Sequence, residues 1–465
     1  MSMSTSTATI ADENTVPEQT ETSLGKMTVR REKFIPISRL ALMQRLADTE
    51  KRGMGAGGHS SCKELFRYLS VWRHQSYQKR LARLKQCYLP FSPDRDTKRI
   101  IQYSDEQLAD LKTDLIVHIK ELLQQANYEA IGTDELEDML QANSAHGLEL
   151  NVDLSEFDEV LIYARGREID TIVKRNPERL YLSKHTIEVP VYKRLFLLLK
   201  LKSVEQRVRE IMESEGVSQK KALKINKKQR RSLPVDPDGS YVYLRLFKNI
   251  PQEDMEMMFP NTQVKLRLFD KVKLGVTAGG GTIAGIAGAA TKIMAAVASA
   301  NPLGLAAAML GVVGLLFRQV MSVFNTRTKY MMMLAQRLFF HSLSNNRGVL
   351  TLLVDRAEEE DIKEEMLAYF FLQRYPMPPE ELRENGKLDV MIEQFLTQEF
   401  DVIVDFDLED ALKRLNADQL LAVDANNIIS ALPPAEACAI LERKWRSLLA
   451  SDEDESLEAE YEEET

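Results

Sequence analysis

Few residues in this 465-residue chain have types and spacings that do chemistry. The six histidines (59, 74, 118, 146, 185 and 341) are scattered. The zincin HExxH, the phosphate loop GxxxxGK(S/T) and the nucleophile elbow GxSxG are all absent. The best acid/base trio is His341, Asp355 and Glu358, which could move protons in a peptidase-like hydrolase. Only their nearness to one apolar segment joins them. The run Asp355, Glu358, Glu359, Glu360, Asp361 could attract a divalent cation, but acids opening a helix more simply form a solvated face that the helix dipole favours. Asp405, Asp407 and Glu409 read as strand-end and N-cap residues. Gly53, Gly55, Gly57 and Gly58 precede a helix, yet no strand comes before them and no Lys-Ser/Thr follows, so they read as a flexible loop. Three cysteines without a CxxC pair give neither a zinc cage nor a disulfide framework. No cofactor and no metal is expected.

The basic residues carry more weight. Lys220, Lys221, Lys224, Lys227, Lys228, Arg230 and Arg231 crowd into VSQKKALKINKKQRR, a loop-like insert over 217–231. Anionic lipid headgroups are the expected contact, at about 1 kcal/mol per residue near a membrane surface. Nucleic acid is the second reading, and a solvated loop without a partner the third. The net charge of −9 says little, because the last fifteen residues alone hold nine acids and no base.

These residues need elements to position them. EKFIPISRLALMQRL opens the ordered chain. Ser61 and Glu64 form a capping-box pair ahead of a basic helix over about 62–88, and further helices are expected near 105–126 and 133–141. LELNVD, EVLIYARG, HTIEVPVYKRLFLLLKL, YVYLRLFKNI and QVKLRLFD are short runs rich in β-branched and aromatic residues, the signature of an antiparallel sheet. Near the end, LDVMIEQFLTQEF, DVIVDF, DLEDALKRLNADQ and a hairpin turning at Asn426-Asn427 give the outline of a winged helix. Its recognition helix holds more acids than bases, which disfavours nucleic acid and points to a protein partner.

The most apolar stretch runs from about Leu274 to Phe324, interrupted at Asn301-Pro302. Each half is long enough for about 30 Å of hydrocarbon. Gly281, Gly285 and Ala289, with Gly311 and Gly314 opposite, form small-residue faces for close helix packing. Basic flanks on both sides orient both termini toward the cytoplasm. A buried helical hairpin in a soluble core is the alternative. The expected fold class is therefore an α+β membrane protein: helical N-terminal region, antiparallel sheet, two-helix transmembrane hairpin, and C-terminal helical, winged-helix-like domain. The expected boundaries are a disordered tail over 1–32, helices over 33–146, sheet over 147–271, hairpin over 272–324, helices over 325–385, winged helix over 386–449 and acidic tail over 450–465.

KNIPQEDMEMMFPNTQVKLRLFDKVKL, the Gly/Ala-rich stretch after it, and RLFFHSLSNNRGVLTLLVDRAEEEDIKEEMLAYFFL together resemble the transmembrane protein 143-like family. YQKRLARLKQCYLPFSPDRDT and DEVLIYARGRE extend the resemblance, which covers about 34–448. It implies a membrane protein of unknown biochemical function and carries over no catalytic residue. The acids at 12, 13, 18 and 21 depart from a mitochondrial import signal, so the bacterial inner membrane is the expected location. The expected function is a membrane-anchored scaffold or interaction protein, with the bilayer, anionic headgroups, an unknown protein partner and homo-oligomerisation as its contacts. A membrane-bound hydrolase and a pore-forming effector are the alternatives.

Overall fold

The structure is a computed structural model. It describes residues 31–451 except 55–60, 95–101, 133–134, 137–148, 176–183, 235, 237, 253–254, 256–257, 261–262, 266–317, 319–320, 322–331, 333–335, 337 and 384–385. In chain order the elements are α1 (Arg39–Met54), α2 (Ser61–Tyr88), α3 (Asp105–Gln125), β1 (Glu129–Ala130), β2 (Glu149–Asn151), β3 (Phe157–Arg175) and β4 (Lys184–Leu201). There follow α4 (Val204–Glu215), α5 (Gln219–Gln229), β5 (Val242–Pro251), β6 (Gln263–Lys265) and β7 (Ser342–Asn345). The C-terminal part holds α6 (Arg347–Arg374), α7 (Pro379–Arg383), α8 (Lys387–Phe400), α9 (Leu408–Ala417), β8 (Leu421–Val423), β9 (Ile429–Ala431) and α10 (Pro434–Ser451).

The sheet has the order β1-β3-β4-β5-β7, antiparallel throughout. Its centre is the continuous apolar run of β4, because both faces are covered. Phe196 and Leu198 point into one core with Tyr163, Leu244 and Leu246. Leu195, Leu197, Leu199 and Leu201 point into another with Ile162, Phe247 and Phe259. Between β4 and β5 the helical pair α4–α5 closes on its own small cluster of Val208, Ile211 and Ala222. The chain returns through Gly239, where φ is +64° and a Cβ would stand 2.5 Å from the Leu201 carbonyl oxygen, so only glycine fits.

Two 28-residue helices, α2 and α6, run through two cores. Tyr77–Tyr88 of α2 and Val349–Ala357 of α6 join the sheet-side core. Cys62–Leu69 and Ile362–Leu372 join a second core with α1, α8, α9 and α10. A layer of buried charge separates the two.

Three expectations are corrected. Among the described residues no helix is long and apolar enough to cross a membrane. The longest helices carry acids and bases through their middles: α6 has buried Glu358, Glu360, Asp361, Lys363, Glu364 and Glu365. Among the described residues the fold is thus α+β, with an antiparallel sheet and many helices and no membrane-spanning helix. The hairpin expected over 272–324 lies outside the described residues apart from Arg318 and Met321, and with it Gly281, Gly285, Ala289, Gly311 and Gly314. Second, the basic insert is not a loop: residues 219–229 are helical. Third, the acids from Glu358 onward are not a solvated opening turn. The helix begins eleven residues earlier, at Arg347, so all of them but the half-buried Glu359 fall in its buried middle. At the other end, Ser61 opens α2 but spends its hydroxyl on Glu50 Oε1, at 3.0 Å, rather than on a capping box.

Candidate functional site

The charged layer is built on α6 and fixes α9. Arg414, on the inner face of α9, sends Nη2 to Glu364 Oε2 at 2.7 Å and Nε to Glu365 Oε1 at 2.8 Å. Its Nη1 lies 3.1 Å from Asp361 Oδ1 but off the hydrogen-bond direction, so that oxygen has a charge partner and no hydrogen bond. Arg73 of α2 pairs with Glu365 at 2.8 Å and with Asp418. Asp418 also accepts from Trp72 Nε1 at 3.0 Å and Lys444 Nζ at 3.1 Å. Tyr77 donates to Asp361 at 2.5 Å, and Asn127 to Glu364 at 3.2 Å. Deeper along α6, Glu360 accepts from the Ile35 amide at 3.0 Å while Lys363 donates to the Ile35 carbonyl at 2.5 Å. The segment before α1 is thereby held to α6.

Acids outnumber bases here: Asp361, Glu364, Glu365 and Asp418 face Arg73, Arg414 and Lys444. Burial raises the Asp361 and Glu365 carboxyls. It pushes Glu364 up to about 8, against the pull of Arg414 and with the push of Asp361. At neutral pH a proton held among these three carboxyls, Glu364 included, offsets the excess negative charge.

With α9 fixed on its inner face, its outer face lines an open groove of about 510 Å³. Leu408, Glu409, Leu412, Lys413 and Asn416 come from α9, Asp389 from α8, Leu421, Val423 and Ile429 from the β8–β9 hairpin, and Lys33 and Leu382 complete it. Asp405, Phe406 and Asp407 enter from the segment between α8 and α9, which bridges Glu32 in parallel through Val404. Four carboxylates thus face two ammonium groups. One of those, Lys413, is already engaged by Glu409 at 3.1 Å and Asp410 at 3.2 Å. Val423 leaves 61% of its surface open at this groove.

Asp389 is the strained member. Its Oδ1 is shut from solvent with no hydrogen-bond partner. Burial first, then Glu393, Asp407 and Asp405, raise its carboxyl to about 6. A folded-state value above the unfolded one means that the favourable contribution belongs to the protonated form and is lost as pH rises through about 6. Asp389→Asn is therefore expected to stabilise the fold at pH 7.5 by about 1 kcal/mol, discounted for partial exposure, with the gain gone at pH 4. Urea denaturation at the two pH values measures this. Equal stability of both proteins at pH 7.5 would mean that the carboxylate has a partner.

The trio His341, Asp355 and Glu358 is not brought together by any hydrogen bond or ion pair among the described residues. His341 Nδ1 lies 2.8 Å from the Lys248 carbonyl, Asp355 is exposed, and Glu358 faces His74 at 3.0 Å and Arg39 at 3.6 Å. Lys220, Lys221, Lys224, Lys227 and Lys228 are exposed on α5, while Arg230 turns inward to Glu156 at 2.8 Å. Among the described residues no three His, Cys, Asp or Glu side chains converge to hold a metal ion. The groove acids went unread in the sequence as a site, although Val404-Asp405-Phe406-Asp407-Leu408-Glu409 alternates apolar and acidic with the period of an extended chain. That alternation buries Val404, Phe406 and Leu408 and lines up the acids. Asp389 gives no comparable local signal.

No solved structure matches the chain. Nothing in the comparisons supports the narrower transmembrane protein 143-like family. The groove and the charged layer lie outside residues 157–348, whereas the sheet from β3 to β7 and the lysine-bearing α5 lie within them. Residues 157–348 of this chain are similar to a family described as a protein of unknown function, DUF3754.

Proposed function

We propose that this chain is an interaction protein whose C-terminal, winged-helix-like unit captures a partner segment bearing a lysine or arginine flanked by apolar residues. The observation that carries this reading is the groove beside α9, with an excess of carboxylates and an Asp389 oxygen that has no partner. A guanidinium or ammonium entering there would gain charge-assisted hydrogen bonds in a partly desolvated setting. Leu412, Leu421, Val423 and Ile429 supply the apolar wall for its neighbours. Nucleic acid fits poorly, because Glu409 and Asp410 stand exposed at the start of α9, where phosphate would have to approach.

The test is fluorescence anisotropy at pH 7.5 with a labelled six-residue peptide alternating arginine and leucine, and its glutamate-for-arginine counterpart as control. The arginine peptide is expected to bind and the control not to. The double substitution Asp405→Asn, Asp407→Asn should weaken binding about tenfold, equivalent to about 1.4 kcal/mol. Binding should also weaken at pH 5, where Asp389 holds a proton. Equal binding of both peptides, or no loss in the double variant, sinks the reading.

A further inference from the structure

The lysine face of α5 has a feature of its own. Lys220, Lys221, Lys224, Lys227 and Lys228 lie on one side of the helix, opposite the buried Ala222 and Asn226. None of the five ammonium groups makes an ion pair or donates a hydrogen bond among the described residues. The acids of the neighbouring α4 do not reach them: Glu210 is taken by Lys202 at 2.8 Å and Arg207 at 3.3 Å, and Glu205, Glu213 and Glu215 stand exposed. The arrangement also violates a local rule. The first turn of α5 has no acid but holds Lys220 and Lys221 at the positive end of the helix dipole, and Ser218 caps it without a side-chain hydrogen bond. Like charges gathered at the wrong helix end oppose the fold locally, and such conflicts concentrate where something else is bound.

The chain itself carries a complementary segment. Residues 452–464, directly after α10, hold nine acids and no base. Their starting point is close enough. Helix α10 runs beside α2 in the same direction, with Cys438 near Glu64 and the Lys444 ammonium 5.8 Å from the Trp72 ring centroid. Ser451 therefore lies short of Tyr88, the last residue of α2. Tyr88 donates to the Val242 carbonyl at 2.8 Å, Val242 pairs with Lys200, and Arg230 at the end of α5 donates to the Lys202 carbonyl at 2.7 Å. Summed along these elements and side chains, the path from Ser451 to the end of α5 is about 50 Å, and because it turns at each step the direct separation is shorter than this contour. Thirteen extended residues reach about 43 Å.

We propose that the acidic stretch 452–464 lies along the lysine face of α5 of the same molecule and covers it. Individually weak surface pairs suffice, because the tether gives the acids a high effective concentration at the lysines. An external polyanion would reach the face only by displacing this stretch. The inference is independent of the groove reading.

Zero-length carbodiimide cross-linking of an equal mixture of heavy- and light-isotope full-length protein, read by mass spectrometry, tests it directly. Cross-links from 452–464 to the five lysines are expected within single copies at low salt and should fade at 1 M salt. Removing everything after Ser451, or converting the nine acids to their amides, should raise heparin affinity at least tenfold. Lys→Gln substitution at all five positions should abolish that gain. Absence of cross-links into α5, cross-links only between differently labelled copies, or heparin affinity unchanged in both tail variants each overturns the proposal.

Discussion

Arg414→Ala should cost about 3–5 kcal/mol of stability, the largest effect expected of any single side chain here. The guanidinium lies within 3.1 Å of three carboxylates that are otherwise sealed from water. Removing it leaves Asp361, Glu364 and Glu365 with Arg73 as the remaining arginine of the layer, and an uncompensated buried charge is far more costly than a missing surface pair. Arg414→Lys should recover only part of the loss, since one ammonium cannot reproduce the fork that serves Glu364 and Glu365 together. Equilibrium urea denaturation followed by tryptophan emission is a suitable readout. Trp72 donates into this same network, and the only other tryptophan, Trp445, lies on α10. A loss below 1 kcal/mol for Arg414→Ala would show that water enters the layer and solvates the acids.

The second large effect is a dependence on pH. Because Glu364 binds its proton more tightly folded, near 8, than unfolded, near 4.5, its contribution is full below pH 4.5 and is lost as pH rises through about 8. Between pH 6 and pH 9 the fold should lose about 2–3 kcal/mol from this group alone. Glu364→Gln keeps the shape and the contact with Asn127 but has no proton to release. Its stability should fall less steeply over the same range, and at pH 9 it should exceed that of the unsubstituted protein. Denaturation midpoints for the pair at half-unit pH steps give the difference directly. Parallel curves would place the proton elsewhere, with Asp361 the next group to substitute.

How much of this could be read in the sequence depends on whether partners are local. The strands could be, because the apolar runs of β3, β4 and β5 state their period and burial within ten residues. So could α3, where Ser104 and Gln107 close a reciprocal capping box. The meaning of Glu358 to Glu365 could not. An acid-rich helix looks solvated until Arg73 and Arg414, nearly 300 residues before it and about 50 after it, are placed against it. Lys220 to Lys228 failed differently. The spacing of Ala222 and Asn226 is helical, but eleven residues dominated by lysine give too short an apolar stripe to outweigh the polar composition. The groove was half visible: Asp405, Asp407 and Glu409 announce an acidic edge, whereas Asp389 joins them only because α8 and α9 share one core.

The core shared by α1, the first half of α2 and the C-terminal helices bears on how the molecule is made. Ile35 bonds to Glu360, a separation of 325 residues. On a ribosome adding roughly 5–20 residues per second, Leu42, Leu46, Phe66 and Leu69 emerge tens of seconds before Met366, Leu388 or Leu415 exist to cover them. During that interval α1 and α2 present one uncovered apolar face, while the sheet, whose main strands adjoin in the chain, can already close. Synthesis therefore leaves the first helices waiting for the last ones, and it is this half of the protein that most needs a holding chaperone.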